Sequence, residues 1–376
     1  MKATHWFFWL FAGLFLSSPA LANAHGIQRR IVELHPTPEN IPEVTDPTFI
    51  LHEDPELAFM SEASHEKIVI GVADGEYHEM FGIVTDLAFP GDGTVLVLDY
   101  GSSEVRVFDY GGALLSSFGR PGEGPGEFRN RPFKISVADQ GQTVFVLEEY
   151  GRSVVAFDRQ DDSTYIPKAH FRTGLLAHDG CAMNGHFWVY GIDPDYEGVL
   201  HKFTYDGKRV ASFLEYYQSP REKMSRHMSR MGLLACSEAH GIVVLNRVWA
   251  PVVTGYRENG EVAWHVKFAS FDPTYFAEYE GGDWGFNPLK PGQRRLETIF
   301  TDPAGNLYVQ YVTREGRDII DRSPYSGPLF KIDVRTGLGM YLGSAPSVEG
   351  IDSGYGFSVT NNPFPQVVIH KPKAGG

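Results

Sequence analysis

Residues 117–158 read SFGRPGEGPGEFRNRPFKISVADQGQTVFVLEEYGRSVVAFD. A loop rich in glycine and proline, Gly119 to Arg131, opens onto a short apolar run from Phe133 to Val137. A turn at Asp139-Gln140-Gly141 follows, then a strongly β-prone run from Thr143 to Leu147. A polar turn, Glu149 to Arg152, leads to a third run from Ser153 to Phe157. Short runs of Val, Ile and Phe, divided by residues that tolerate tight turns, predict an antiparallel meander.

The same order stands just upstream. An apolar run at Leu87 to Phe89 is followed by Gly91-Asp92-Gly93, then Thr94 to Leu98, a polar turn, and Val105 to Asp109. Leu114 to Phe118 adds a fourth strand. VLVLD answers VFVLE, and VRVFD answers VVAFD. A meander recurring every ~40 to 50 residues marks the blades of a β-propeller. The combination FG-x-x-GxGPGEF, apolar run, D-x-x-G, VxVxD-like strand and VxxFD strand resembles the NHL repeat. The chain is similar to the bacterial six-bladed propellers built on it, over residues 84–158 and more loosely over 294–333. The resemblance implies a fold and an interaction platform; one fold of this kind hosts many functions.

The rest of the chain supplies the remaining units. Residues 175–213, 233–268 and 296–342 each carry strand runs of the same kind, with Asp206-Gly207 and Asn259-Gly260 as hairpin turns. Residues 348–369 supply three runs and lack an outer strand. The apolar run Lys67 to Val72 lies outside any three-strand set of its own. Pairing it with the last blade closes a ring, so the expected fold is an all-β, six-bladed propeller sealed by an N-terminal strand.

Before this ring, Lys2 precedes an apolar core at residues 6–16, followed by Ala20-Leu21-Ala22 and Ala22-Asn23-Ala24. This is the layout of a secretory signal, and its core is short for a membrane span. The expected organisation is a signal peptide at 1–22, an extended acidic and proline-rich arm at 23–64, a propeller at 65–372 and a tail at 373–376. No cysteine lies at the cleavage site, so no membrane anchor is expected after processing, and the mature chain belongs in the periplasm or outside the cell. The net charge of −14 argues against nucleic acid, because binding phosphates needs clustered cations.

Cys181 and Cys236 occupy similar places in successive repeats. An oxidising compartment permits a bridge between them; two separate buried thiols are the alternative. Two insertions, 215–231 and 269–295, join blade ends to the next blade's start. In a propeller these links share one face with the loops between each blade's second and third strands. That face gathers Arg120, Arg129, Arg131, Arg152, Arg247 and Arg295, with Tyr150 and Trp249 as stacking surface. Guanidinium groups suit carboxylate or phosphate, so an anionic or polar ligand or a protein partner is one reading. The other is that they pair with loop acids such as Glu123, Glu127 and Glu149. The first strands should place Asp86, Lys134, His178, Asp179, Glu297 and Asp352 along the channel. No cofactor is expected. A channel calcium or zinc on those oxygens and imidazoles, serving a lyase or hydrolase, is the alternative function. The sequence has no G-x-S-x-G elbow and no H-E-x-x-H, and its GEGPG loop lacks the Lys-Ser/Thr of a phosphate loop.

Overall fold

The computed structural model of the chain describes residues 28–33, 43–44 and 65–372, apart from 149–150, 162, 194, 196–197, 217–224, 227–228, 248–251, 269–274, 280–283, 287–293 and 314–325. Its frame is a six-bladed β-propeller with almost no helix. Blade one runs through Val84–Ala88, Thr94–Asp99, Glu104–Asp109 and Leu114–Phe118. Blade two runs through Pro132–Ala138, Thr143–Glu148, Ser153–Arg159 and Tyr165–Arg172. Blades three, four and five begin at Leu176–Met183, Gly232–Ser237 and Arg294–Thr301. Blade six combines Gly350–Asp352, Tyr355–Thr360 and Gln366–Pro372 with His65–Ile70. That N-terminal strand lies antiparallel to the last one, with Val367 opposite Ile70 and Ile369 opposite Ile68.

Side-chain alternation explains why the second strands read as unbroken apolar runs. Successive residues point to opposite faces, and both faces of a blade are covered by neighbours. Thus Leu96 and Leu98 pack toward blade two with Ile135, Val144 and Val146. Val95 and Val97 pack the other way, with Phe357, Val367 and Ile369 of blade six. All six residues of Thr94–Asp99 and of Thr143–Glu148 are buried, whereas Leu114–Phe118 at the outer wall is mostly not. Each of the six seams holds its own apolar cluster. Ile70 contributes to the seam between blades six and one, which is what makes the ring continuous.

Cys181 and Cys236 are joined, linking the first strands of blades three and four with Cα atoms 5.7 Å apart. The bridge closes a 55-residue separation. Removing both sulfurs with Cys181→Ala/Cys236→Ala should cost about 2–4 kcal/mol of stability through the freer unfolded chain. Denaturant midpoints of the wild type with and without reductant give the same comparison; equal midpoints would count against it.

The arm meets the second insertion and the outer wall through short strands. Gln28–Glu33 pairs antiparallel with Tyr275–Tyr279, which in turn pairs with Trp284–Phe286. The insertion after blade four therefore forms a small sheet with the arm. Glu43–Val44 adds a parallel fifth strand beside Val262–Phe268, on blade four's outer edge. Two residues of parallel pairing carry no periodic signal, so sequence patterning has nothing to register.

Candidate functional site

Every blade enters at the same end, here called upper, where first and third strands begin and second and fourth strands finish. The channel floor at this end is built from bulges. In blades one, two, three and five the first strand slips register by one residue, between Val84 and Asp86, Pro132 and Lys134, Ala177 and Asp179, and Leu296 and Thr298. A bulge re-aims the side chain that follows it. In the first three blades that side chain is Asp86, Lys134 or Asp179, and the structure brings these together. Lys134 Nζ lies 3.3 Å from Asp86 and 3.6 Å from Asp179.

Each carboxylate is also bonded to the next blade's backbone. Ile135 N–H donates to Asp86 at 2.8 Å, and Leu234 N–H donates to Asp179 at 2.9 Å. Gly180 N–H donates to the other Asp179 oxygen at 2.8 Å. The three residues latch blades one through four. His178, at the bulge itself, is half-buried with Nδ1 2.8 Å from the Gly232 carbonyl oxygen, so Nδ1 carries the hydrogen. Burial holds His178 below its usual value, partly offset by Asp179.

Charges in this cluster set one another. Burial disfavours the Lys134 ammonium, but Asp179, Asp86 and Glu349 outweigh that and hold it above its usual value. Burial pushes Asp86 up to about 6, against the pull of Lys134 and Ile135 N–H, with Asp179 and Glu349 adding to the rise. The native state therefore binds this proton more tightly than the unfolded chain, whose carboxyl has its ordinary value of 3.8. Stability from Asp86 is complete below that value and is lost as pH rises toward 6. Asp86→Asn should flatten the fall in unfolding free energy across this window. Urea titrations at several pH values read the slope; an unaltered slope in the variant would remove Asp86 as its source.

The remaining channel assignments fare differently. Asp352 does not join the cluster: the Tyr110 hydroxyl donates to it from blade one, and Ser353 donates at 2.9 Å, so it seals the seam between blades six and one. On a three-residue strand its direction depends on register alone. Glu297 sits in blade five's bulge and its side chain lies outside the described residues. Among the described residues, no group of three or more His, Cys, Asp or Glu could hold a metal ion.

At the rim, Arg120 is 77% exposed and paired within its own loop to Glu127, at 2.6 Å. Arg131 lies over the Tyr100 ring at 5.0 Å. Arg247 donates to the Glu215 carbonyl at 3.0 Å. Arg152 is exposed. Tyr150, Trp249 and the Arg295 side chain lie outside the described residues. The acids that end the second strands are not rim groups. Asp99 is fully buried and accepts N–H bonds from Gly82, Ile83, Gly101 and Ser102. Glu148, also fully buried, accepts from Asn130 N–H at 2.9 Å and from Ser153. The acid of VLVLD and VFVLE thus ties the entering linker to its blade.

No protein-family model matches the chain, and no curated protein matches its sequence. Solved structures do. A Bacteroides fragilis protein taken to be exported shares 11% identity at a TM-score of 0.52, covering 89% of this chain and 99% of that one. A member of the DUF4221 family from Bacteroides vulgatus shares 8% at 0.52, covering 82% and 97%. A protein of unknown function from Bacteroides thetaiotaomicron shares 12% at 0.51, covering 82% and 76%. At such identities the likeness is one of fold, and the fold it supports is the six-bladed propeller.

Proposed function

We propose that this chain is an exported, NHL-like propeller that works as a binding and interaction module through its arginine-bearing upper face. The supporting observation is how the polar groups are spent. Asp86, Lys134 and Asp179 are consumed in joining blades, while the Arg129 side chain stands exposed at the rim. Arg152 immediately precedes one blade strand and Arg247 ends another, so both offer charge from a rigid base. A metal-dependent lyase or hydrolase at the channel mouth is less well supported. Among the described residues the place between the channel carboxylates is taken by the Lys134 ammonium.

Proximity labelling from the exported chain, compared with an Arg152→Glu/Arg247→Glu variant, tests the reading. The expected result is a polypeptide enriched on the wild type and lost from a variant with unchanged circular dichroism. An enrichment profile indifferent to both substitutions would argue against it. Stoichiometric calcium or zinc in the purified chain would favour the enzyme instead.

A further inference from the structure

The upper edge of blade two carries arginine at three of its four strand ends. Arg131 immediately precedes the first strand, Pro132–Ala138. Arg152 immediately precedes the third, Ser153–Arg159. Arg172 ends the fourth, directly opposite Ser153, and Thr173 N–H donates to the Arg152 carbonyl at 2.9 Å. Arg129 stands two residues before Arg131, beside Asn130, whose N–H is fixed on Glu148. With neighbouring strands about 4.8 Å apart, the row runs about 14 Å from the channel side to the outer wall.

Two features set this row apart. Arg129 and Arg172 are exposed and, among the described residues, have no hydrogen-bond or ion-pair partner. Among the described residues the acid at the same edge, Glu148, is fully buried and already occupied by Asn130, Ser153 and His170. A row of guanidinium groups thus stands on a chain whose net charge is −14.

We propose that this edge binds an acidic polypeptide segment, with Arg129 and Arg172 gripping its carboxylates and Arg131 and Arg152 lying between them. The proposal rests on the interaction-module reading and names the partner's chemistry and the blade that meets it. Guanidinium forks match carboxylates in pairs. A sparse row inside a repulsive overall field suits a ligand whose charges are also sparse, such as a segment of alternating acids with carboxylates about 7 Å apart. A densely sulfated polysaccharide would be repelled by the remainder of the surface before it reached the row.

A fluorescently labelled octapeptide of alternating glutamate and serine is the probe, titrated into the mature full chain at low and at high salt. Binding should weaken with salt, and Arg129→Ala/Arg172→Ala should weaken it at least about tenfold, as expected for two lost charge-assisted contacts. Arg335→Ala, in the hairpin at the opposite end of blade five and paired with Asp333, should leave it unchanged. The double variant removes only exposed side chains, and its thermal melt confirms folding. Absence of binding, equal binding by the double variant, or stronger and variant-sensitive binding of heparin would each overturn the proposal. Partner capture that survives Arg129→Ala/Arg172→Ala but not Arg152→Glu/Arg247→Glu would sink this inference and leave the module reading standing.

Discussion

A chain lacking His65–Ile70 should fail to form a soluble monomer. Without this strand the six facing residue pairs of the closing seam disappear, and Gln366–Pro372 becomes an open sheet edge. Val367 and Ile369, both fully buried in the intact ring, would meet water together with Phe357. The seam also loses Ile70 and the anchorage of Phe81, which packs in the same cluster. A propeller distributes its core over its seams, so opening one weakens its two neighbours as well. The expected loss matches or exceeds the whole folding free energy, about 5–15 kcal/mol for a typical protein. Size-exclusion chromatography and near-ultraviolet circular dichroism would show aggregate without fixed aromatic packing. A synthetic peptide of residues 65–72, supplied during refolding, should restore part of the monomer. A deletion variant that elutes as a monomer with the wild-type spectrum would contradict the closure.

The second large effect is expected at Arg106, which is 1% exposed. Its guanidinium meets Glu104, donates to the Met80 carbonyl at 2.6 Å, and lies 3.6 Å from Asp99. Tyr77 and Phe81 cover its faces at 5.0 and 5.1 Å. This one side chain fastens the linker after the closing strand onto blade one. Arg106→Met keeps volume but leaves Glu104 buried without its counter-ion, at an expected cost of about 3–5 kcal/mol. Asp99 is less affected, because four backbone N–H groups still satisfy it. Adding Glu104→Gln to the variant should therefore recover part of the loss. Urea unfolding of the four members of this double-mutant cycle measures the coupling, and faster exchange of the Gly82 and Ile83 amides would localise it. A cost below about 1 kcal/mol for Arg106→Met would show that the charge is dispensable.

How much was legible follows from where the physics is local. Blades one and two repeat the same words, and period-two burial on two covered faces leaves VLVL and VFVL as plain signals. The closing strand was legible by elimination, as an apolar run with no partner near it and a blade short of one. The union of Asp86, Lys134 and Asp179 was partly legible as polar residues in first strands. Their use as blade-to-blade latches was not, because it depends on bulges that shift each strand by one residue. The bond between Tyr110 and Asp352 was not legible either, because it crosses from blade one to an unbulged three-residue strand of blade six. Arg172 passed unnoticed because an outer strand reads as solvent-facing decoration; only its register with Ser153 sets it beside Arg152. The pairing of Gln28–Glu33 with Tyr275–Tyr279 joins two stretches far apart in the chain, and neither carries a repeat to announce it.

That N-terminal pairing has a mechanical meaning. The chain touches blade four's flank at Glu43–Val44 before it reaches blade six at His65–Ile70. Tension applied at the amino end is therefore taken first by the small sheet and by this flank. Those attachments act as a strain relief, as a cable clamp protects a plug, so a pull on the leading end reaches the ring only after they give way.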